Sequence, residues 1–378
     1  MKKGWQTKKL GDICEMYQPK TISGKDMVED GAYPVYGANG VIGRYNQFNH
    51  EEAQLLITCR GATCGSVNIS APRSWVTGNA MVVRPKNESL EMRYLEYLFR
   101  GGIDISKAIT GAAQPQITRT NLEPLEISFP ESLTEQQRIV GLLDEAFAGL
   151  ATAQAHAEKN LQNARALFES HLQAVFTQRG PGWVDSTIGA EIKFIDYRGK
   201  TPVKTESGVR LITAKNVKMG FLQESPMEFI AAASYKGWMT RGIPQKGDVL
   251  FTTEAPLANV AQLDTDEKVA FAQRIIIMQP NAARLDSTFL KYLLLSQPVQ
   301  QRIRTKGTGA TVQGIKASLL KLIEISFPKS LTTQEEIVSK LDDLREETQR
   351  LARLYERKLA ALEALKKSLL HQAFTGEL

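Results

Sequence analysis

Nearly everything in this chain occurs twice, at a constant interval where the copies are clearest. Ile127-Ser128-Phe129-Pro130 returns as Ile325-Ser326-Phe327-Pro328, and Ser132-Leu133-Thr134 returns as Ser330-Leu331-Thr332. The same displacement carries Ile139-Val140 onto Ile337-Val338 and Phe176-Thr177 onto Phe374-Thr375. Upstream the match loosens. Gly4-Trp5 answers Gly182-Trp183, and Tyr94-Leu95 with Tyr97-Leu98 answers Phe289-Leu290 with Tyr292-Leu293. A unit that recurs must bury its apolar surface the same way twice, so the chain is expected to form a pseudo-twofold object. Such an object suits a partner with two related half-sites, and duplex DNA is the leading one.

A chain of 378 residues is long enough for two cores. Its net charge of +6 is carried by the two globular stretches rather than the segments after them, which suits a polyanionic partner. Three cysteines are too few for a disulfide framework. Cys59 and Cys64 lack the second pair or nearby histidine that zinc needs, so small buried thiols are expected and no metal site. Lys2-Lys3 is followed by no apolar stretch, and no run approaches the roughly 20 apolar residues of a membrane span. The expectation is a soluble cytoplasmic protein with no membrane partner.

Residues 1–131 read as a mixed α/β (α+β) domain. Short apolar runs mark strands near 55–58, 66–69, 80–83 and 125–127, Asn39-Gly40 signals a hairpin, and 92–99 has helical spacing. Residues 182–329 repeat the plan, with strands near 209–213, 247–252 and 274–278 and a helix over 287–306. Between and after them, 132–181 and 330–378 read as long helices, each spanning roughly 66 Å. The second carries a heptad seam: Ile337, Leu341, Leu344, Thr348, Leu351, Tyr355, Lys358, Leu362, Leu365, Leu369 and Gln372. The first carries a smaller one through Ile139, Leu143, Ala146, Leu150, Ala153, Ala157, Asn160, Ala164, Leu167, His171 and Ala174. Small residues facing large ones predict two antiparallel coiled-coil helices that act as spacers. Thr134 and Thr332 or Thr333 are the expected helix N-caps, and Gly180-Pro181-Gly182 stops the first helix.

No catalytic constellation stands out. Of four histidines, His156, His171 and His371 fall on the long helices. Gly199-Lys200-Thr201 lacks the earlier glycine of a phosphate-binding loop, and Gly37, Gly40 and Gly43 have the wrong spacing for a dinucleotide fingerprint. What remains is polar and basic side chains on turns, the composition of a groove-reading surface. In the first copy these are Asn39, Arg44, Arg60, Asn79, Gln114, Gln116 and Arg119. In the second they are Arg198, Lys200, Lys215, Asn216, Arg274, Lys306, Gln313 and Lys316. Two other readings stay open: a coiled-coil scaffold without affinity for DNA, and a stand-alone DNA-modifying enzyme with an unrecognised site.

At these residues the chain resembles a known family. Tyr33-Pro34-Val35-Tyr36-Gly37-Ala38-Asn39-Gly40, followed by Arg60-Gly61-Ala62-Thr63-Cys64-Gly65, is similar to a target recognition domain of type I restriction–modification specificity subunits. The Glu135-Gln136-Gln137 junction and the closing Ala373-Phe374-Thr375-Gly376-Glu377-Leu378 resemble it too. The second copy departs, with Glu254-Ala255-Pro256-Leu257-Ala258-Asn259 where the first has Arg60 to Gly65. The resemblance implies a non-catalytic subunit reading a bipartite duplex target, one half-site per domain. It implies that the helices set the gap and dock two adenine methyltransferase subunits, with restriction subunits joining that core. S-adenosylmethionine, ATP and Mg²⁺ would belong to those partners, and this chain would bind no cofactor.

Overall fold

A computed structural model describes residues 3–197, 201–309 and 313–378. The chain divides into two compact units, residues 1–159 with 356–378 and residues 160–355. Each unit therefore takes the start of one long helix and the end of the other.

The strands of the first unit are β1 (Trp5–Lys9), β2 (Cys14–Tyr17), β3 (Tyr33–Gly37), β4 (Gly40–Tyr45), β5 (Leu55–Thr58), β6 (Val67–Ile69), β7 (Trp75–Val76), β8 (Ala80–Pro85) and β9 (Glu126–Pro130). The main sheet runs β2-β8-β5-β6 and a smaller one runs β4-β3-β7, while β1 pairs with β9. β5 is buried along its whole length, which is why it reads as an unbroken apolar run rather than an alternating one. The expected Asn39-Gly40 hairpin joins β3 to β4, with Gly40 at φ +122°.

The second unit repeats this with β10 (Trp183–Thr187), β11 (Ile192–Asp196), β12 (Lys204–Thr205), β13 (Val209–Ile212), β14 (Phe229–Ile230), β15 (Val249–Thr252), β16 (Val260–Gln262), β17 (Val269–Phe271), β18 (Ile275–Pro280) and β19 (Glu324–Pro328). The main sheet is β11-β18-β15-β16, and β10 pairs with β19. Trp183 faces Pro328 there as Trp5 faces Pro130 in the first unit, so the register repeats. The smaller sheet, β12-β14-β13-β17, keeps the parallel pairing of β13 with β17 seen between β3 and β7. One expectation is corrected: the helix over 287–306 is two helices, Ser287–Leu295 and Gln297–Lys306, broken at Ser296. Pro298 has no N–H to continue the first helix and is at home in the opening turn of the next.

The long helices span Leu133–Gln178 and Leu331–Thr375. They pack antiparallel: Ile139 and Leu143 share a core with Leu370 and Ala373, and Leu172 and Phe176 share one with Leu341. Gly101 and Gly102 admit the end of the second helix, since a Cβ there would meet Leu370 at 2.7 Å and Phe374 at 2.5 Å. The caps are Ser132 and Ser330, whose hydroxyls accept from Glu135 N–H and Thr333 N–H, rather than the threonines. The heptad seam holds early and then drifts. Leu167 and Leu365 are about half exposed, at 51% and 47%, and His171 and Lys358 face solvent, whereas Leu172, Leu370 and Ala373 are buried. A straight helix turns every 3.6 residues and slips off a 3.5-residue repeat by about 20° per heptad.

In each unit one buried glutamine ties the start of a long helix to the strand-bearing part in the same way. Gln136, 0% exposed, donates to Ser89 O at 3.0 Å and Pro130 O at 2.8 Å, and accepts from Glu91 N–H at 2.8 Å. Gln334, also 0% exposed, donates to Arg284 O at 2.8 Å and Pro328 O at 2.7 Å, and accepts from Asp286 N–H at 2.9 Å. A second repeated tie runs from the Tyr97 hydroxyl to Asp144 and from the Tyr292 hydroxyl to Asp342.

Two further results follow from this packing. A Cβ at Gly141 or Gly149 would meet nothing within 4 Å, so Gly141→Ala and Gly149→Ala should each stabilise the first long helix. The gain is about 0.5–1 kcal/mol apiece, readable as additive rises in denaturation midpoint. His50 is buried with Nδ1 at 2.6 Å from Asn49 Oδ1 and Nε2 at 2.8 Å from the Tyr17 hydroxyl. Burial, then the nearby Arg84, lowers its pKa below 6.5. The unfolded chain therefore binds the proton more readily, so this contribution to stability is complete above pH 6.5 and lost as pH falls through the folded value. NMR titration of His50 should show the lowered pKa; a normal or raised value would refute the assignment.

Candidate nucleic-acid interface

About half of the polar residues singled out in sequence gather where β5 and β15 leave their sheets. At the end of β5, Thr58 is buried, and its hydroxyl donates to Ala38 O at 2.7 Å and Asn39 Oδ1 at 2.9 Å. Cys59 N–H donates to Asn79 O at 3.3 Å, and Ile117 N–H donates to Cys59 O at 2.9 Å. Thr110 and Gln116 exchange backbone hydrogen bonds of 2.9 and 2.8 Å, and Gln116 bridges to Arg60. This frame brings Arg60, Asn79 and Gln116 together, with Gln114 on the same turn. All four are exposed, and their side chains hydrogen-bond to nothing among the described residues.

The second unit builds the same frame from different residues. Thr253 N–H donates to Arg274 O at 2.9 Å, and Ile315 N–H donates to Thr253 O at 2.9 Å. Thr308 and Gly314 exchange backbone bonds of 2.8 and 2.9 Å, and Gly314 bridges to Glu254. Glu254 thus stands where Arg60 stands, Arg274 where Asn79 stands, and Gly314 where Gln116 stands. The Arg274 guanidinium pairs with Glu254 at 2.9 Å, and its backbone is held at φ +79°. That region is costly for a long L side chain and is often occupied at functional sites. Gln313, Lys316 and Lys306 are exposed around this turn. Glu254 was not among the residues expected from sequence. Its opposition to Arg60 across the repeat was the available signal.

Other expected residues stand elsewhere. Asn216 is corrected outright. It is 1% exposed, accepts from Thr213 N–H and Oγ1 at 2.9 Å, and donates to Gln223 O, Glu224 O and Pro226 O. With its amide fully used it shapes the loop after β13 and reads nothing. Asn39 is exposed, but its amide bonds Thr58 and Thr63, so it braces the hairpin turn. Arg44 turns two donors back onto Gly31 O at 2.5 Å and Ala32 O at 3.0 Å, a structural use. Arg119 pairs with Glu123 at 2.6 Å on its own helical turn, and Lys215 is exposed on the loop after β13. Arg198 and Lys200 lie outside the described residues.

Cys59 and Cys64 lie in this frame and Cys14 at the other end of the sheet, where it pairs with Pro85; burial pushes the Cys14 thiol up to about 12 and raises those of Cys59 and Cys64. Among the described residues no group of three or more His, Cys, Asp or Glu side chains converges as a metal site would. Among the described residues no helix is long and apolar enough to cross a membrane.

One backbone frame is built twice, with different polar side chains on each copy. Both halves match the family described as type I restriction modification DNA specificity domain, over residues 2–160 and 199–357. The chain belongs to that family and is a type I restriction–modification specificity subunit. It is 21% identical to the MjaVIII specificity subunit of Methanocaldococcus jannaschii over 99% of this chain and 93% of that protein. It is 27% identical to the EcoprrI specificity subunit of Escherichia coli, a match spanning 36% of this chain and only 35% of that one. Its fold is similar to a chain of a type I R-M system solved for its complex assembly and conformational transition (TM-score 0.78, 17% identity, 100% and 99% of the two chains). It is also similar to HsdS from Thermoanaerobacter tengcongensis (TM-score 0.64, 17% identity, 100% and 98%).

Proposed function

We propose that this subunit reads a bipartite duplex DNA target, one half-site per recognition domain, and docks two methyltransferase subunits through its long helices. Restriction subunits join that core, and the catalytic centres, S-adenosylmethionine, ATP and Mg²⁺ belong to the partners. The subunit itself is non-catalytic, and the complex works in the cytoplasm. The observation that carries the reading is the shared frame: equivalent backbone presents Arg60, Asn79 and Gln116 in one half and Glu254 and Arg274 in the other. Two heads with one geometry and different donors and acceptors are what two unlike half-sites need. Arg suits guanine, Asn and Gln suit adenine, and Glu accepts from cytosine. Each good base contact discriminates by about 1–3 kcal/mol, while exposed lysines such as Lys306 and Lys316 are placed for phosphates, which set register and salt dependence.

The test is to co-express the chain with its cognate methyltransferase subunit and map adenine methylation across the host genome. The expected result is a two-part motif, methylated on opposite strands in its halves and absent without this chain. An unmodified genome from a soluble, intact complex would overturn the reading in favour of a scaffold.

A further inference from the structure

Both units contain the same cleft, and the chain fills only one of them. In the second unit it lies along the long-helix segments, with Phe168 and Leu172 on one helix and Arg345 on the other, and Gly220 in its wall reaches the edge strand β16. The connection from β13 to β14 turns back on itself at the Val217–Leu222 bridge and enters this cleft. Gly220 N–H donates to the Val260 carbonyl at 2.7 Å, and Arg345 donates to Gly220 O at 2.7 Å. About 290 Å³ stays open, with Met219 and Phe221 among its walls.

In the first unit the equivalent cleft holds about 700 Å³. Across the repeat Arg345 corresponds to Phe147, Phe168 to Lys366 and Leu172 to Leu370, and all three line it. Cation and aromatic have exchanged repeat-equivalent positions, so that the first long helix supplies the aromatic and the second the cation in both clefts, with Lys366 Nζ 5.7 Å from the Phe147 ring centroid. The edge strand is β6. Val67 opposes Ile57 as Val260 opposes Phe251, and each follows the same bulge, closed by Gly65 N–H to Thr58 O and by Ala258 N–H to Thr252 O. The Val67 carbonyl therefore points off the sheet edge as Val260's does, and no peptide N–H among the described residues donates to it. The reason is local: β3 and β4 are joined by the tight Ala38-Asn39 turn, so the first unit has no counterpart of residues 213–228. The cleft's one lining acid, Glu96, is already held by Arg93 and Arg100, which leaves Lys366 for an incoming oxygen.

We propose that this cleft receives an extended loop of one methyltransferase subunit, which adds to β6 as residues 217–222 add to β16. A peptide N–H of the loop meets the Val67 carbonyl, a loop oxygen meets Lys366, and an apolar side chain covers Phe147. Strand addition of this kind takes affinity from main-chain bonds and selectivity from the adjoining pockets. The inference rests on the reading above, because the cleft's walls include the helices through which methyltransferase subunits dock. It makes the two subunits unequal: one gains an anchor that the chain itself occupies on the other side.

The test places p-benzoylphenylalanine at position 366 or at position 168 of the full chain, co-expressed with the methyltransferase subunit and irradiated. Position 366 should cross-link to the methyltransferase, and position 168 only within the chain. In a co-purified complex, cross-links to the methyltransferase from both positions, or from neither, would overturn the cleft and leave the specificity reading standing. Failure to co-purify at all would sink both. Lys366→Glu, on the exposed rim, should weaken partner affinity about tenfold with an unmoved thermal midpoint; unchanged affinity would refute the proposal.

Discussion

Gln334→Ala should destabilise the second unit by about 3 kcal/mol, and Gln136→Ala the first by a similar amount. Each amide is fully buried and satisfies two backbone carbonyls and one backbone N–H at the start of a long helix. Truncation leaves all three without a partner in a site built for one side chain. An unsatisfied buried group costs about 1–3 kcal/mol, and partial collapse or an entering water recovers some of the total. Glutamate is no remedy, because it cannot donate to Pro328 O and Arg284 O in its ionised form and would bury a charge. Chemical denaturation of the full chain measures the effect. A loss below about 1 kcal/mol at either position would show that these ties are incidental.

The second large effect is on recognition. Arg274→Ala should relax discrimination at one base position of the second half-site by about 10- to 100-fold, corresponding to the 1–3 kcal/mol of a bidentate contact. It should leave the first half-site untouched, since the frame around Arg60 shares no residue with it. Glu254→Gln should weaken the same position less, because it removes the carboxylate that orients the guanidinium but keeps a neutral side chain of similar size. Arg274→Gly separates a reading role from a structural one. The native φ of +79° costs an L residue about 1–2 kcal/mol, against roughly 0.5–1 kcal/mol of added unfolded-chain entropy for glycine. Stability should hold or rise while discrimination falls. If stability fell by more than 1 kcal/mol and base preference stayed unchanged, Arg274 would be a packing residue. Methylation profiles of the three variants, with midpoints measured alongside, decide between these outcomes.

Much of the architecture was legible in the residues. The repeat, the apolar runs of β5, β8 and β15, and the Asn39-Gly40 hairpin each rest on local pattern and were placed correctly. The errors were also local in kind. The break at Ser296-Gln297-Pro298 was read through because the apolar spacing continues across it. The long-helix seam was extended on a strict heptad where a straight helix slips, so His171 was placed inward and Leu172 left out. Of the expected surface residues, Asn216 failed because an asparagine that braces a loop from inside has the same local sequence as one that faces solvent.

By itself the sequence determined that there are two copies of one unit, each followed by a long helix, because periodicity, caps and turn residues act within a few positions. Tertiary structure alone decided which side chains share a reading frame. Arg60, Asn79 and Gln116 come from three distant stretches, as do Glu254, Arg274 and Gly314, and backbone hydrogen bonds between strand ends and turns bring each set together. It also decided that one cleft is filled and its twin open. The tight Ala38-Asn39 turn, a local feature, leaves the first unit without such a loop, but whether the loop after β13 enters the second cleft depends on where it can reach once β16 and the long helices stand beside it, and no local pattern encodes that distance.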